Sequence, residues 1–178
     1  MSATTTSSSS PKPATTPPCA TVDMPQPTPA HAWLQRCVGE WDSEIEMIVG
    51  PKQPSMKCRG TDSARMVGGF WLVSEGKNLD FPYTCQLTLG YDPKAARYVG
   101  TWIDSMSSYL WHYTGAIDAS GRLVLQTEGP FPPADGRFTK FREVTEFLTQ
   151  DHRVFTSARM SEGGVWIPQL RIDFRRRG

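Results

Sequence analysis

Val38-Gly39-Glu40-Trp41-Asp42 divides the chain into two periodicities. Before it, residues 28–38 read as one short helix, with Thr28 as N-cap, Pro29 at the first helical position and Gly39 as the stop. Trp33, Leu34, Cys37 and Val38 share one face of that helix. After it, Trp41, Ile45, Met47 and Val49 fall on one side of a period-two pattern, with Ser43 between them. Asp42, Glu44 and Glu46 fall on the other, which is the pattern of a half-buried strand. A helix this short is marginal alone, so it has to dock on an apolar surface, and the end of a barrel offers one.

Period two then persists to the C-terminus. Pro51 and Pro54 end the first strand, and residues 56–64 are polar but strand-like. Residues 66–73 read as a further strand in which Gly68-Gly69 suits a bulge or sharp bend, the device by which a sheet curls. Strands are expected at 85–89 and 97–103, joined by the turn Gly90-Tyr91-Asp92-Pro93. Residues 109–117 and 122–128 flank the turn Asp118-Ala119-Ser120-Gly121. Residues 138–147 and 153–160 meet at Thr149-Gln150-Asp151, and Gly163-Gly164 turns the chain into 165–175. Roughly nine or ten short strands joined by hairpin-sized turns result. No helix of useful length intervenes, which excludes parallel βαβ units. The expected fold is all-β, an up-and-down antiparallel barrel that closes its own edges. A two-sheet sandwich is the alternative.

The first 28 of the 178 residues are Ser, Thr, Pro and Ala for the most part, with Val22 and Met24 as the large apolar side chains. Such a segment buries too little apolar surface to offset its chain entropy and is expected to be a disordered tail. Residues 29–178 have the length of one domain of about 150 residues. A net charge of +1 gives no electrostatic argument for nucleic acid or for a membrane surface. Arg175-Arg176-Arg177 reads as a solvated tail. No apolar run approaches the ~18–20 residues of a membrane span. Met1 to Ser10 lacks the pattern of a secretory signal, so a cytoplasmic location is expected. Cys19, Cys37, Cys58 and Cys85 are irregularly spaced, which suits reduced thiols.

Four separate motifs occur in order: His31-x-Trp33-Leu34 with Val38-Gly39-x-Trp41-Asp42, then Gly68-Gly69-Phe70-x-x-x-Glu75, then Leu89-Gly90-Tyr91-Asp92, then Tyr98-x-Gly100-Thr101-Trp102-x-Asp104-Ser105. On these the chain resembles the bacterial family labelled domain of unknown function 1579, over nearly all of residues 31–174. The resemblance implies a lipocalin-like or calycin-like barrel and no activity. A Gly-x-Trp opening the first strand is common in small ligand-carrier barrels, where the tryptophan plugs the closed end and meets an Arg from a late strand. Gly39 and Trp41 are therefore assigned structural roles, with Arg159 or Arg171 as the stacking partner. The haem-binding nitrobindin barrels are more distant in shape. Their run of spaced glycines after the first Trp is absent, so haem is not carried over and no cofactor is expected.

Trp41, Trp71, Trp102 and Trp111 all fall in strands, with Tyr113 on the face of Trp111. Aromatics at such positions fill a core or line a cavity, and a barrel of this size is wide enough to hold one small ligand. Trp102 and Asp104 share a face. If Asp104 or Glu128 points inward it needs a cation such as Arg65 or Arg142. The candidate cavity residues are Trp102, Asp104, Trp111, Tyr113, Trp71, Arg65, Glu128 and Arg142. His31, His112 and His152 are scattered, and no metal-ligand spacing occurs. No Gly-x-Ser-x-Gly elbow and no glycine-rich phosphate loop before a helix is present.

The expectation is a non-enzymatic binding module, monomer or homodimer, holding a small, largely apolar ligand. The alternatives are an enzyme using Asp104, Glu128 or His112 as acid or base in the same cavity, and an interaction protein with a filled barrel.

Overall fold

In a computed structural model, residues 24–48, 53–131 and 137–178 are described. Most of the expected tail, with Cys19, lies outside them, as do Val49 and Pro51. The elements are α1 (Pro29–Gln35), β1 (Gly39–Met47), β2 (Met56–Val67), β3 (Trp71–Asn78), β4 (Thr84–Asp92), β5 (Arg97–Asp104), β6 (Ser107–Ile117), β7 (Leu123–Pro130), β8 (Phe138–Thr149), β9 (His152–Met160) and β10 (Trp166–Arg176). Each strand pairs antiparallel with the next, and β1 pairs with β10 to close the barrel. The up-and-down barrel expected from the turn pattern is therefore the fold. Closure leaves no strand edge exposed.

Two turns fall elsewhere than the sequence reading placed them. Met66 and Val67 belong to β2, and Gly68-Gly69 forms the turn into β3 rather than a bulge. Both glycines have positive φ, +60° and +77°, and the Phe70 N–H donates to the Val67 carbonyl at 3.1 Å. A tight hairpin needs that left-handed pair, which glycine adopts without steric cost. Likewise β4 continues through Gly90 and Tyr91. The turn is made at Pro93–Ala96, where Asp92 Oδ1 accepts the Lys94 N–H at 2.9 Å and the Ala95 N–H at 3.1 Å.

Thr28 caps α1 with Pro29 at its first position, and His31 Nδ1 accepts the Thr28 N–H at 2.9 Å. The helix stops at Gln35, short of Gly39, and lies across one end of the barrel. Leu34 and Cys37 are buried against Leu72, Leu89, Tyr98 and Leu123, and Trp33 and Val38 pack beside them. Two long-range hydrogen bonds pin the lid: Tyr98 Oη donates to the Ala30 carbonyl at 2.6 Å, and Trp33 Nε1 donates to the Gly121 carbonyl at 3.1 Å. This end is closed and apolar. The other is the mouth, where among the described residues the connections β3–β4, β5–β6 and β9–β10 lie.

Candidate functional site

Residues that share one face along each strand form the inner wall, and the registers connect those faces around the barrel. Trp41 stands on the floor of the lumen, with no exposed surface. Its Nε1 donates to the Cys37 carbonyl at 2.9 Å. Two guanidiniums face its ring, Arg176 at 4.1 Å and Arg153 at 4.8 Å from the centroid. The stacking arginines are thus these two. Arg159 lies near the mouth over Phe131, and Arg171 is on the outer wall paired with Asp173. In β9 and β10 the register to Trp41, not the residue type, selects the partner.

Above the floor, Asp62 on β2 and Arg153 on β9 form a buried ion pair, and Ser74 Oγ donates to Asp62. The carboxylate is therefore met on both oxygens, the condition under which a buried charge is tolerated. The two charges neutralise each other, while Arg153 Nε is buried without a hydrogen-bond partner.

Glu143 on β8 stands higher in the lumen. Ser157 Oγ donates to its Oε1 at 3.4 Å, and Tyr113 hydrogen-bonds it from β6. Burial pushes its carboxyl up to about 7, against which the two hydroxyls pull down. Burial and the adjacent Glu143 charge raise the Tyr113 phenol, so it is a proton donor at neutral pH. Tyr83 and Cys85 lie nearby, the phenol and the thiol both raised by burial. Leu87, Trp102, Trp111 and Phe155 face inward yet are only half-buried.

Toward the mouth the wall is aromatic. Trp111 packs edge-on against Trp102, Tyr109 and Phe141, with centroids 5.1–6.3 Å apart. Its ring lies over Gly129, where a Cβ would collide with it. Phe131 packs on Phe141 at 6.0 Å, and Arg159 covers Phe131 at 4.9 Å. Trp111 Nε1, Thr127 Oγ1 and Arg159 Nε are buried without hydrogen-bond partners. At the mouth itself, Met56, Leu79, Phe81, Met106, Phe138 and Val165 are exposed.

Four of the eight cavity residues named from the sequence line the lumen. Trp102 and Trp111 are cross-strand partners, Tyr113 meets Glu143, and Asp104 sits at the rim opposite Cys85. The other four are corrected to the outer wall. Trp71, 42% exposed, lies out of phase with buried Leu72 and packs on Gly90. Arg65 alternates with buried Ala64, Glu128 with buried Thr127, and Arg142 with buried Phe141; Arg142 stacks on Trp166 at 4.9 Å. The inward ionisable residues Asp62, Glu143 and Arg153 were missed, and Arg159 was named as a partner for Trp41 instead. The available signal was parity: Glu143 shares the face of Phe141, and Arg159 that of Ser157.

His112 is outward and exposed, and His152 Nε2 meets Asp173 Oδ1 at 2.9 Å. Among the described residues no three metal-ligating side chains cluster, and no helix is long and apolar enough to cross a membrane. Two shallow grooves of about 410 and 470 Å³ cross the outer wall of β1, β2 and β10. Asp42, Glu44, Arg59, Asp173 and Arg175 line the first, and Asp42 and Arg59 are already paired, with Arg177 and Asp80. The lumen, with its enclosed and partly unpaired polar groups, is the better candidate site.

The family described as "Protein of unknown function (DUF1579)" matches residues 26–176, and the chain belongs to it. No curated protein matches the chain. Fourteen chains of solved structures match. One is the S-type phycobiliprotein lyase CPES from Guillardia theta, with a TM-score of 0.52 at 15% identity, covering 83% of this chain and 92% of that one. At that identity the likeness is one of fold.

Proposed function

From membership of this uncharacterised family of barrels, we propose that the chain is a non-enzymatic binding module that holds a small, largely apolar ligand in its lumen. One observation carries this reading: inward Trp102, Trp111, Leu87 and Phe155 keep accessible surface inside a barrel closed at one end by α1 and Trp41. Apolar walls with a few placed polar groups are what small-molecule sites use. Exposed apolar side chains at the mouth suit the passage of such a ligand. One barrel encloses the whole site, so a monomer or homodimer suffices. The unbridged thiols of Cys37, Cys58 and Cys85 suit a cytoplasmic setting.

The test is a titration of intrinsic tryptophan fluorescence with the neutral probe N-phenyl-1-naphthylamine, beside native mass spectrometry of freshly purified protein. Saturable quenching, lost when Leu87 is replaced by Trp to fill the lumen, is expected. Absence of saturation together with absence of a co-purified small molecule refutes the reading.

Glu143 supports a second reading. A carboxyl held near neutrality beside two hydroxyls has the character of a general acid or base. In that reading Glu143 replaces Asp104, Glu128 and His112 as the residue to test, because the last two face outward.

A further inference from the structure

Among the described residues the inner wall holds a cation without an anion. Arg159 projects inward from β9, opposite buried Phe141 on β8. Its guanidinium stacks on Phe131, and its Nε is buried with no acceptor. Among the described residues no carboxylate lies within ion-pair distance of it. The neighbouring inward acid, Glu143, takes its hydrogen bonds from Tyr113 and Ser157. The other buried acid, Asp62, is taken by Arg153 and Ser74. Both interior carboxylates are thus engaged elsewhere.

The same stretch of wall carries two more unmatched polar atoms, Trp111 Nε1 and Thr127 Oγ1. Thr127 is directly opposite Phe141 on the other side from Arg159, and Trp111 packs on Phe141 at 5.3 Å. An indole N–H and a guanidinium N–H only donate, and a hydroxyl can donate. Three such groups around one aromatic ring call for an acceptor. Arg159 is half-buried, with Nε its buried atom lacking an acceptor, and a planar carboxylate matches a guanidinium fork with two parallel hydrogen bonds.

We propose that the lumen ligand is an amphipathic monocarboxylate, its carboxylate held at Arg159 near the mouth and its apolar body among Trp102, Trp111, Phe141 and Leu87. This rests on the lumen-binding reading above and adds the head group to it. The polarity of binding follows from where Arg159 stands: the head remains toward the mouth and the tail points inward among the aromatic side chains.

The experiment compares four probes of equal chain length on the full-length protein: dodecanoate, dodecanol, dodecylamine and dodecyl phosphate. Each displaces N-phenyl-1-naphthylamine from the lumen at pH 8, where the acid is ionised. Dodecanoate is expected to bind at least about tenfold more tightly than dodecanol, the scale of one charge-assisted hydrogen-bonded pair, with dodecylamine weakest. Arg159→Gln should abolish the preference while leaving dodecanol affinity unchanged, and Arg159→Lys should retain part of it. Circular dichroism and unchanged dodecanol binding establish that the variants are folded. Equal binding of the acid and the alcohol, unaltered in Arg159→Gln, overturns the head-group assignment and leaves the lumen reading standing. Dodecyl phosphate binding more tightly than dodecanoate overturns the choice of carboxylate. Failure of every probe, the neutral one included, overturns both proposals.

Discussion

Arg176 lies directly opposite Trp41 across the β1–β10 seam, and its guanidinium rests 4.1 Å from the centre of the indole. From there it reaches two connections: Nη1 donates to the Val38 carbonyl at 2.5 Å and Nη2 to the Arg36 carbonyl at 3.1 Å between α1 and β1, and Nε donates to Asp151 Oδ1 at 2.9 Å in the β8–β9 turn. One side chain thus joins the end of α1, the first and last strands, and the β8–β9 turn. The seam that closes the barrel is locked at its floor.

Arg176→Ala should cost about 2–4 kcal/mol of stability, because it removes both the hydrogen bonds from a charged donor and the cation–π stacking on Trp41. Arg176→Lys should recover only part, because an ammonium cannot span the same fork. Urea denaturation followed by tryptophan fluorescence reads both. Gly39→Ala should be destabilising by a similar amount, since Gly39 has φ +127° and its missing Cβ leaves room for the Arg176 guanidinium. A neutral result at either position would mean that Arg176 does not lock the seam.

The Asp62–Arg153 pair should behave as a unit. Asp62→Ala or Arg153→Ala alone leaves one buried charge and should cost about 3–5 kcal/mol. The double variant should cost clearly less than the sum, with an interaction energy of about 1–3 kcal/mol in a double-mutant cycle. Additive losses would mean that the two charges are solvated separately.

Glu143 makes stability fall as pH rises. Its folded pKa, about 7, lies above the unfolded value, so it keeps its proton when folded while the unfolded chain loses it. Below the unfolded pKa of ~4.3 the group contributes no penalty. Through the window up to about 7 the penalty grows, and above it is fully present, on the order of 3 kcal/mol. Glu143→Gln keeps an acceptor for Tyr113 and Ser157 without the charge. It should therefore match the parent near pH 4.5 and exceed it in stability at pH 8, measured as urea midpoints across that range. A parent and variant that track each other at every pH would refute the buried-carboxyl assignment.

Gly129 sets the position of Trp111. Gly129→Ala places a methyl group where the indole now lies, and should cost about 1–3 kcal/mol while driving the ring out of place. The tryptophan emission maximum and the affinity for a lumen probe should both change. Gly121→Ala is the contrasting variant: nothing lies within 4 Å of its added Cβ, so only its φ of +79° resists substitution and the lumen should be undisturbed.

The sequence by itself determined the barrel. Alternation from Trp41 onward, turns such as Asp118–Gly121, and the absence of crossover helices leave few ways to arrange the strands. It also determined the lid, because Thr28-Pro29 starts a helix whose apolar face is too short to stand alone. What it left open was which face of each strand is the interior. On β8, Phe141, Glu143, Thr145 and Phe147 alternate with Arg142, Val144, Glu146 and Leu148, and both sets mix apolar with charged residues. Parity groups the residues without choosing a side, and Arg142 in place of Glu143 is a displacement by one position. Tertiary structure made that choice through closure, which buries one face of every strand at once. It also brought Asp62 to Arg153 across 91 residues and left Arg159 facing inward with no carboxylate partner among the described residues. Those outcomes depend on the register of ten strands around a ring, and no local pattern in the chain encodes them.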